Sequence, residues 1–347
     1  MKFRAAILYK INHPLIIDEI ESLPLKRGQV LVKISKSGIC GSQLFEINGG
    51  RENQKYLPHL LGHEAYGEVI DIGPEVKKVK KSDNVLLSWI KSKGIEAEAP
   101  KFKWNKEYVN AGKLTTFSEF TICSENRCLP MDSSLIKRIG PFLGCALPTG
   151  YGLSLTLEEV KKAKFTSVIG LGGIGMSALL GILQESQSKV VAIDINDKRL
   201  EQAKLLGAHH TINPARKECL KKQISEITHN EMLDLVIECS GNAKVLQNSI
   251  NLINTNGLVK FTSHPSSGAL LEINPFDLIL GKRIEGSWGG GVNPEEHFEK
   301  IAKKIIKNKL FLNLYKDEEY RLEDVNIALD NLKNGKVLRP TINFIKE

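Results

Sequence analysis

A chain of 347 residues is too long for one ordinary hydrophobic core, so two domains are expected. Its 41% hydrophobic and 25% charged residues are those of a globular protein, and no apolar run nears the ~18 residues that span a bilayer. The net charge of +8 sits on lysines dispersed among acids with no nucleic-acid module beside them, which argues against nucleic-acid and membrane partners.

The opening "MKFRAAILYKINHP" has an apolar run that stops at Lys10, short of the ~7–15 residues of a signal core, so a cytoplasmic protein is expected. The first ~90 residues read as strands and turns. "QVLVKIS" alternates with the period of a half-buried strand, and "EAYGEVIDIG" and "NVLLSWI" are two more. The glycines punctuating them suit a small barrel with tight corners. From Ile90 to Gly112 the pattern dissolves into a basic stretch carrying Phe102, Trp104 and Tyr108, read as an excursion loop that either faces substrate or a second subunit or is a plain insertion.

After Lys164 the grammar changes. Strand candidates "FTSVIG", "KVVAID", "LDLVIECSG", "GLVKFTS" and "KRIEGSW" alternate with helical segments such as "GIGMSALLGILQES" and "NDKRLEQAKLLG". That alternation predicts a parallel sheet covered on both faces. Further on, Lys300, Lys303, Lys304 and Lys307 interleave with Ile301, Ile305 and Ile306, as in an amphipathic helix.

Gly170, Gly172 and Gly175 form a GxGxxG pattern after a strand and at the start of a helix, with Asp194 nineteen residues beyond Gly175. Gly170 allows a tight turn, Gly172 the approach of a pyrophosphate, and Gly175 close packing of helix on strand. The diphosphate rests on the helix start at Gly173 and Ile174, where N–H groups and the helix dipole favour anions. Asp194 accepts the ribose hydroxyls and repels a 2′-phosphate, favouring NAD over NADP; Lys198 and Arg199 soften that preference.

None of the six cysteines forms a CxxC pair, so neither a zinc ribbon nor a redox dithiol is indicated. Cys40 lies between two glycines in "SGICGSQLFEINGG", His63 follows Gly62 at a strand start, and Cys145 stands just before the glycine-loop domain. Two thiolates and an imidazole make a soft site suited to zinc, and three protein ligands leave the fourth position open, as catalysis requires.

"GICGS", "GHEAYGEV", "GCALPTGYG" and "GLGGIG" followed by "AIDIND" stand in the order and spacing of the medium-chain, zinc-dependent alcohol dehydrogenase family, which the chain resembles over nearly its whole length. The resemblance implies an α/β protein: a GroES-like β-barrel catalytic domain over 1–147, completed by 289–347, and a Rossmann doubly wound sheet binding NAD over 148–288. It implies Cys40, His63 and Cys145 as ligands of one catalytic zinc per chain. Glu64 is then a carboxylate able to approach the metal, Ser42 the hydroxyl that takes the substrate's proton, and Thr149 a neighbour of the nicotinamide. It further implies a small-molecule alcohol or carbonyl substrate and a homodimer or homotetramer, with "GLVKFTS" and "INPFDLILGKRIEGSW" as candidate surfaces.

Three departures from the family pattern stand out. The Ile90–Gly112 segment has no cysteines for a structural zinc, so packing of its aromatic residues is expected to replace that staple. Gln43 stands where a carboxylate commonly orients the zinc-bound histidine, and its amide oxygen is expected to accept the imidazole N–H. Phe45 stands where a histidine often ends the proton relay. The expected activity is hydride transfer between NAD and a secondary alcohol, a polyol, sugar or sugar derivative, with Trp89, Phe117 and Trp288 read either as pocket candidates or as ordinary core. The alternatives are a zinc-free quinone or enoyl reductase, which the cysteine–histidine–cysteine set opposes, and an inactive NAD-binding protein.

Overall fold

The computed structural model describes residues 1–50, 54–216, 219–315 and 319–345. The chain divides into two units, Met1–Cys145 with Asn293–Glu347, and Ala146–Val292.

In the first unit, strands Lys2–Leu8, Ile16–Ser22, Lys101–Trp104, Glu107–Asn110 and His59–Leu60 close into a barrel. A second sheet is built on the long strand Gln29–Gly38, which pairs antiparallel with Glu64–Ile72, with Phe120–Ser124 and, at its end, with Thr341–Asn343. The C-terminal segment therefore supplies a strand beside Gly38, two residues from Cys40. The alternation read in "QVLVKIS" places Val30, Val32 and Ile34 in one apolar cluster with Ala65, Val69, Val85 and Leu87.

The segment read as a loop is in large part a hairpin. Lys101–Trp104 pairs with Glu107–Asn110, Phe102 and Val109 turn into the barrel core, and Trp104 Nε1 donates to Asp18 Oδ2 at 2.8 Å. Phe102 and the half-buried Trp104 face inward on one strand and Val109 on the other, and strands of four residues are too short to display the period. Aromatic packing is also only part of what replaces a metal staple. Glu125, fully buried, accepts the backbone N–H groups of Lys77 and Lys78 on Oε1 and of Ile95 on Oε2, and Arg127 donates to the Trp89 carbonyl and to Glu96.

Helix Pro294–Ile305 buries Phe298, Ile301 and Ile305, while Lys300 and Lys303 pair with Glu296 and Glu299 on its outer face. The lysine-rich pattern is a wet helix face.

The second unit is an all-parallel sheet of six strands. Its spatial order is His210–Ile212, Lys189–Ile193, Phe165–Ile169, Leu233–Glu238, Ile253–Phe261 and Arg283–Gly286. The chain's first strand of this unit lies in the middle, so the winding reverses between Phe165–Ile169 and Leu233–Glu238, the point where such sheets bind ligands. Helix Gly173–Glu185 follows the first strand and is buried over most of its length, matching its apolar sequence. Helix Asp197–Leu206 is capped by the Asn196 side chain and stopped by Gly207 at φ 113°.

"GLVKFTS" is not a free surface: its strand is paired on both sides, and Leu258 and Val259 are fully buried. Among the described residues no helix is long and apolar enough to cross a membrane.

Candidate functional site

Three separate chain segments bring Cys40, His63 and Cys145 together. Cys40 follows the strand ending at Gly38 and caps the short helix Gly41–Ile47. His63 precedes the strand Glu64–Ile72, and Cys145 closes the 3-10 turn Pro141–Gly144. Gly62 makes the approach possible: it sits at φ +90°, and a Cβ there would lie 2.3 Å from Thr116 Oγ1.

The ligand atoms of the three residues all lie within 4.8 Å of one another, and among the described residues no other histidine, cysteine or carboxylate cluster meets that test. His63 Nε2 is 3.2 Å from Cys145 Sγ. The thiol of Cys40 is held well below its usual range by a hydrogen bond from Cys145, helped by the positive charge of Arg339. Burial alone would depress the His63 imidazole, but hydrogen bonding to Cys40 and the negative charges of Cys40, Glu64 and Glu46 raise it. A thiolate, a second buried thiol and an imidazole converging at this spacing fit a soft, tetrahedral metal with one open position.

Glu64 stands outside this trio. It is completely buried and ion-paired with Arg339, itself 3% exposed, from the C-terminal segment just before Thr341. Arg339 was not singled out in the sequence, where "LRPTINF" offers one basic residue before a strand and nothing to say that it is buried. Ser42 is half-buried beside the cluster and its Oγ accepts from Gln43 Nε2 at 3.2 Å. Gln43 reverses the expected orientation. Its Oε1 accepts the Cys40 backbone N–H at 2.8 Å, so that Nε2, not the oxygen, faces His63 Nδ1 at 2.8 Å.

In the other unit the glycine loop has the geometry of a phosphate cradle. Gly170 takes φ +83°, and a Cβ on Gly175 would lie 1.9 Å from the Gly170 carbonyl oxygen. A Cβ on Gly172 would meet nothing within 4 Å, so this backbone faces open space at the N-terminus of helix Gly173–Glu185. Asp194 uses one oxygen to accept the Leu171 N–H at 2.6 Å and the other to accept the Asn196 N–H at 2.8 Å. Each oxygen keeps a lone pair for a further donor. Arg199 stands 3.7 Å away, and both residues line a cavity of about 830 Å³ with Gly170, Gly172, Ile195 and Ser240. Thr149 Oγ1 is buried with no hydrogen-bond partner of its own.

The alcohol dehydrogenase GroES-like domain family matches residues 26–133, and the zinc-binding dehydrogenase family matches residues 169–307. The chain belongs to the zinc-dependent alcohol dehydrogenase family. Among relatives of this family, the S-(hydroxymethyl)glutathione dehydrogenase of Synechocystis sp. is 27% identical over 99% of this chain and 100% of its own. The class-3 alcohol dehydrogenase of Dictyostelium discoideum is 27% identical over 98% of this chain and 97% of its own. In fold, the chain is similar to an alcohol dehydrogenase zinc-binding domain protein from Burkholderia ambifaria (TM-score 0.90, 22% identity, 100% of both chains). It is also similar to benzyl alcohol dehydrogenase from Acinetobacter calcoaceticus (TM-score 0.88, 24% identity, 99% of this chain and 100% of that one). Zinc and NAD are the cofactors typical of zinc-dependent alcohol dehydrogenases.

The pocket candidates fare unequally. Phe117 is a core residue at 1% exposure, packed with Leu8, Ile39 and Leu61. Trp288 is largely exposed, and Trp89 is half-buried with its carbonyl engaged by Arg127.

Proposed function

We propose that this chain oxidises an alcohol, or reduces the matching carbonyl, at a single zinc held by Cys40, His63 and Cys145, with NAD on the glycine loop. The observation that carries this reading is the convergence of those three donors from three segments. When bound, zinc supplies the Lewis acid that polarises an alcohol oxygen, and NAD supplies the hydride acceptor.

The chain's own residues do the rest. Ser42 Oγ already accepts from Gln43, so its own O–H points elsewhere as it takes the substrate's proton and passes one on. Its partial exposure lets that proton leave to solvent, since Phe45 offers no titratable group. The Glu64–Arg339 pair sets a fixed dipole beside the thiols, and the positive charge of Arg339 favours the Cys40 thiolate. Gly170, Gly172, Gly173, Ile174 and Gly175 form the diphosphate cradle, Asp194 and Arg199 face the ribose, and the unpartnered Thr149 hydroxyl serves the nicotinamide carboxamide.

For the substrate we favour a polyol or sugar-derived secondary alcohol. The positive net charge suits an oxygen-rich or anionic molecule. The Synechocystis relative is named for S-(hydroxymethyl)glutathione, which makes that adduct the second candidate. A homodimer or homotetramer in the cytoplasm completes the proposal. The edge strand Arg283–Gly286, next to the exposed Phe276, Leu278 and Ile279, is the surface that supports self-association.

The test follows reduction of NAD with polyols, amino sugars and S-(hydroxymethyl)glutathione, alongside metal content. About one zinc per active chain is expected, and Cys40→Ser should lose both metal and turnover. Full activity with no metal, or a Cys40→Ser variant retaining its zinc, overturns the reading.

A further inference from the structure

The amide of Gln43 presents unlike ends to two neighbours, and one neighbour has no choice of role. The backbone N–H of Cys40 can only donate. It meets Gln43 Oε1 at 2.8 Å, the contact by which a residue in the first helical turn reaches back to its N-cap. With the oxygen committed there, Gln43 Nε2, which carries two hydrogens and accepts nothing, is the atom 2.8 Å from His63 Nδ1.

Nδ1 must therefore accept. The single hydrogen of a neutral ring is then on Nε2, the very atom that lies 3.2 Å from Cys145 Sγ and faces the donor cluster. An imidazole that ligates a metal through Nε2 needs the opposite arrangement: a hydrogen on Nδ1 and an acceptor facing it. With Oε1 turned to the Cys40 N–H, the amide atom facing His63 is the donor Nε2, and an Nδ1–H there would meet a donor. Gln43 is 1% exposed, and its remaining contact is to Ser42 Oγ, so the conflict is resolved within these four residues.

We propose that Gln43 is a positioning residue that holds His63 in the tautomer opposed to metal ligation. The chain then binds zinc more weakly than its three ligands allow. Loading the metal requires the amide to turn over, which gives up the cap on helix Gly41–Ile47, or requires the His63–Gln43 bond to break. Metal occupancy is thereby coupled to the helix that carries Ser42. This inference rests on the reading of Cys40, His63 and Cys145 as the zinc site.

The discriminating change is Gln43→Glu, which keeps the shape and replaces the donor end by an acceptor. Zinc affinity of the full chain is measured by competition with a chromophoric chelator, for the parent and for Gln43→Glu. The variant should bind zinc about tenfold or more tightly, the scale on which such supporting contacts act. Equal or weaker binding by a folded variant overturns the proposal.

A second readout is independent of the added charge. Imidazole nitrogen NMR of metal-free, histidine-labelled protein at mildly alkaline pH should find the His63 hydrogen on Nε2 in the parent and on Nδ1 in Gln43→Glu. A hydrogen on Nδ1 in the parent overturns the proposal even if the variant binds zinc more tightly. Zinc bound by neither protein overturns instead the metal-site reading, and this proposal with it; zinc bound equally by both overturns this proposal alone.

Discussion

At the scale of single residues, the two centres depend on atoms with no alternative role. Asp194 is the clearest case. Its two oxygens are oriented by the Leu171 and Asn196 N–H groups, and Arg199 stands close enough to turn to a phosphate if the carboxylate were gone. Asp194→Ser removes the repulsion of a 2′-phosphate and releases Arg199. The ratio of kcat/KM with NADP to that with NAD should rise by about tenfold or more, equivalent to ~1.4 kcal/mol. An unchanged ratio in a folded variant would show that Asp194 does not set the preference. Gln43 shows the same logic in reverse: the residue type was visible, but the end of the amide facing His63 was decided by the Cys40 N–H.

At the scale of elements, the segment from Lys91 to Asn110 is held by strand pairing and by buried hydrogen bonds. Part of it joins the barrel as the hairpin 101–110, and part is tied down by Glu125, whose carboxyl is held below its usual range by accepting backbone N–H groups from Ile95, Lys78 and Lys77 despite its burial. Glu125→Ala leaves those three N–H groups without that acceptor, at a cost of at least about 2 kcal/mol. Amide hydrogen exchange should accelerate at residues 77, 78 and 95 while the parallel sheet of the other unit keeps its protection. Acceleration everywhere, or nowhere, would place the anchor elsewhere.

At the scale of the whole molecule, the sheet of the second unit ends in an exposed edge. Among the described residues Arg283–Gly286 pairs on one side only, and Ile279, 78% exposed, stands with Phe276 and Leu278 in the helix just before it. Unpaired edge groups beside exposed apolar side chains invite a second copy. Sedimentation equilibrium should return a multiple of the 38.6 kDa chain mass, and Ile279→Asp should lower it. A parent chain that sediments as a monomer removes the oligomer from the proposal.

Five strands of the parallel sheet were legible in the sequence because they alternate with helix signals, whereas the edge strand His210–Ile212 was not, being three residues long with one buried side chain. The glycine loop was legible because its glycines answer local backbone demands at positions 170 and 175. The hairpin at 101–110 was not legible, since its strands are four residues each and its pairing partners lie far along the chain, at Ile16–Ser22 and His59–Leu60. Arg339 escaped for the same reason: a buried charge is recognisable only once its partner, Glu64, is placed beside it. The sequence by itself determined which side chains can take part, because thiol, imidazole, carboxylate and glycine are set by residue type. The tertiary structure decided which atoms of them meet and in which sense, because hydrogen-bond direction and burial depend on neighbours brought from distant segments.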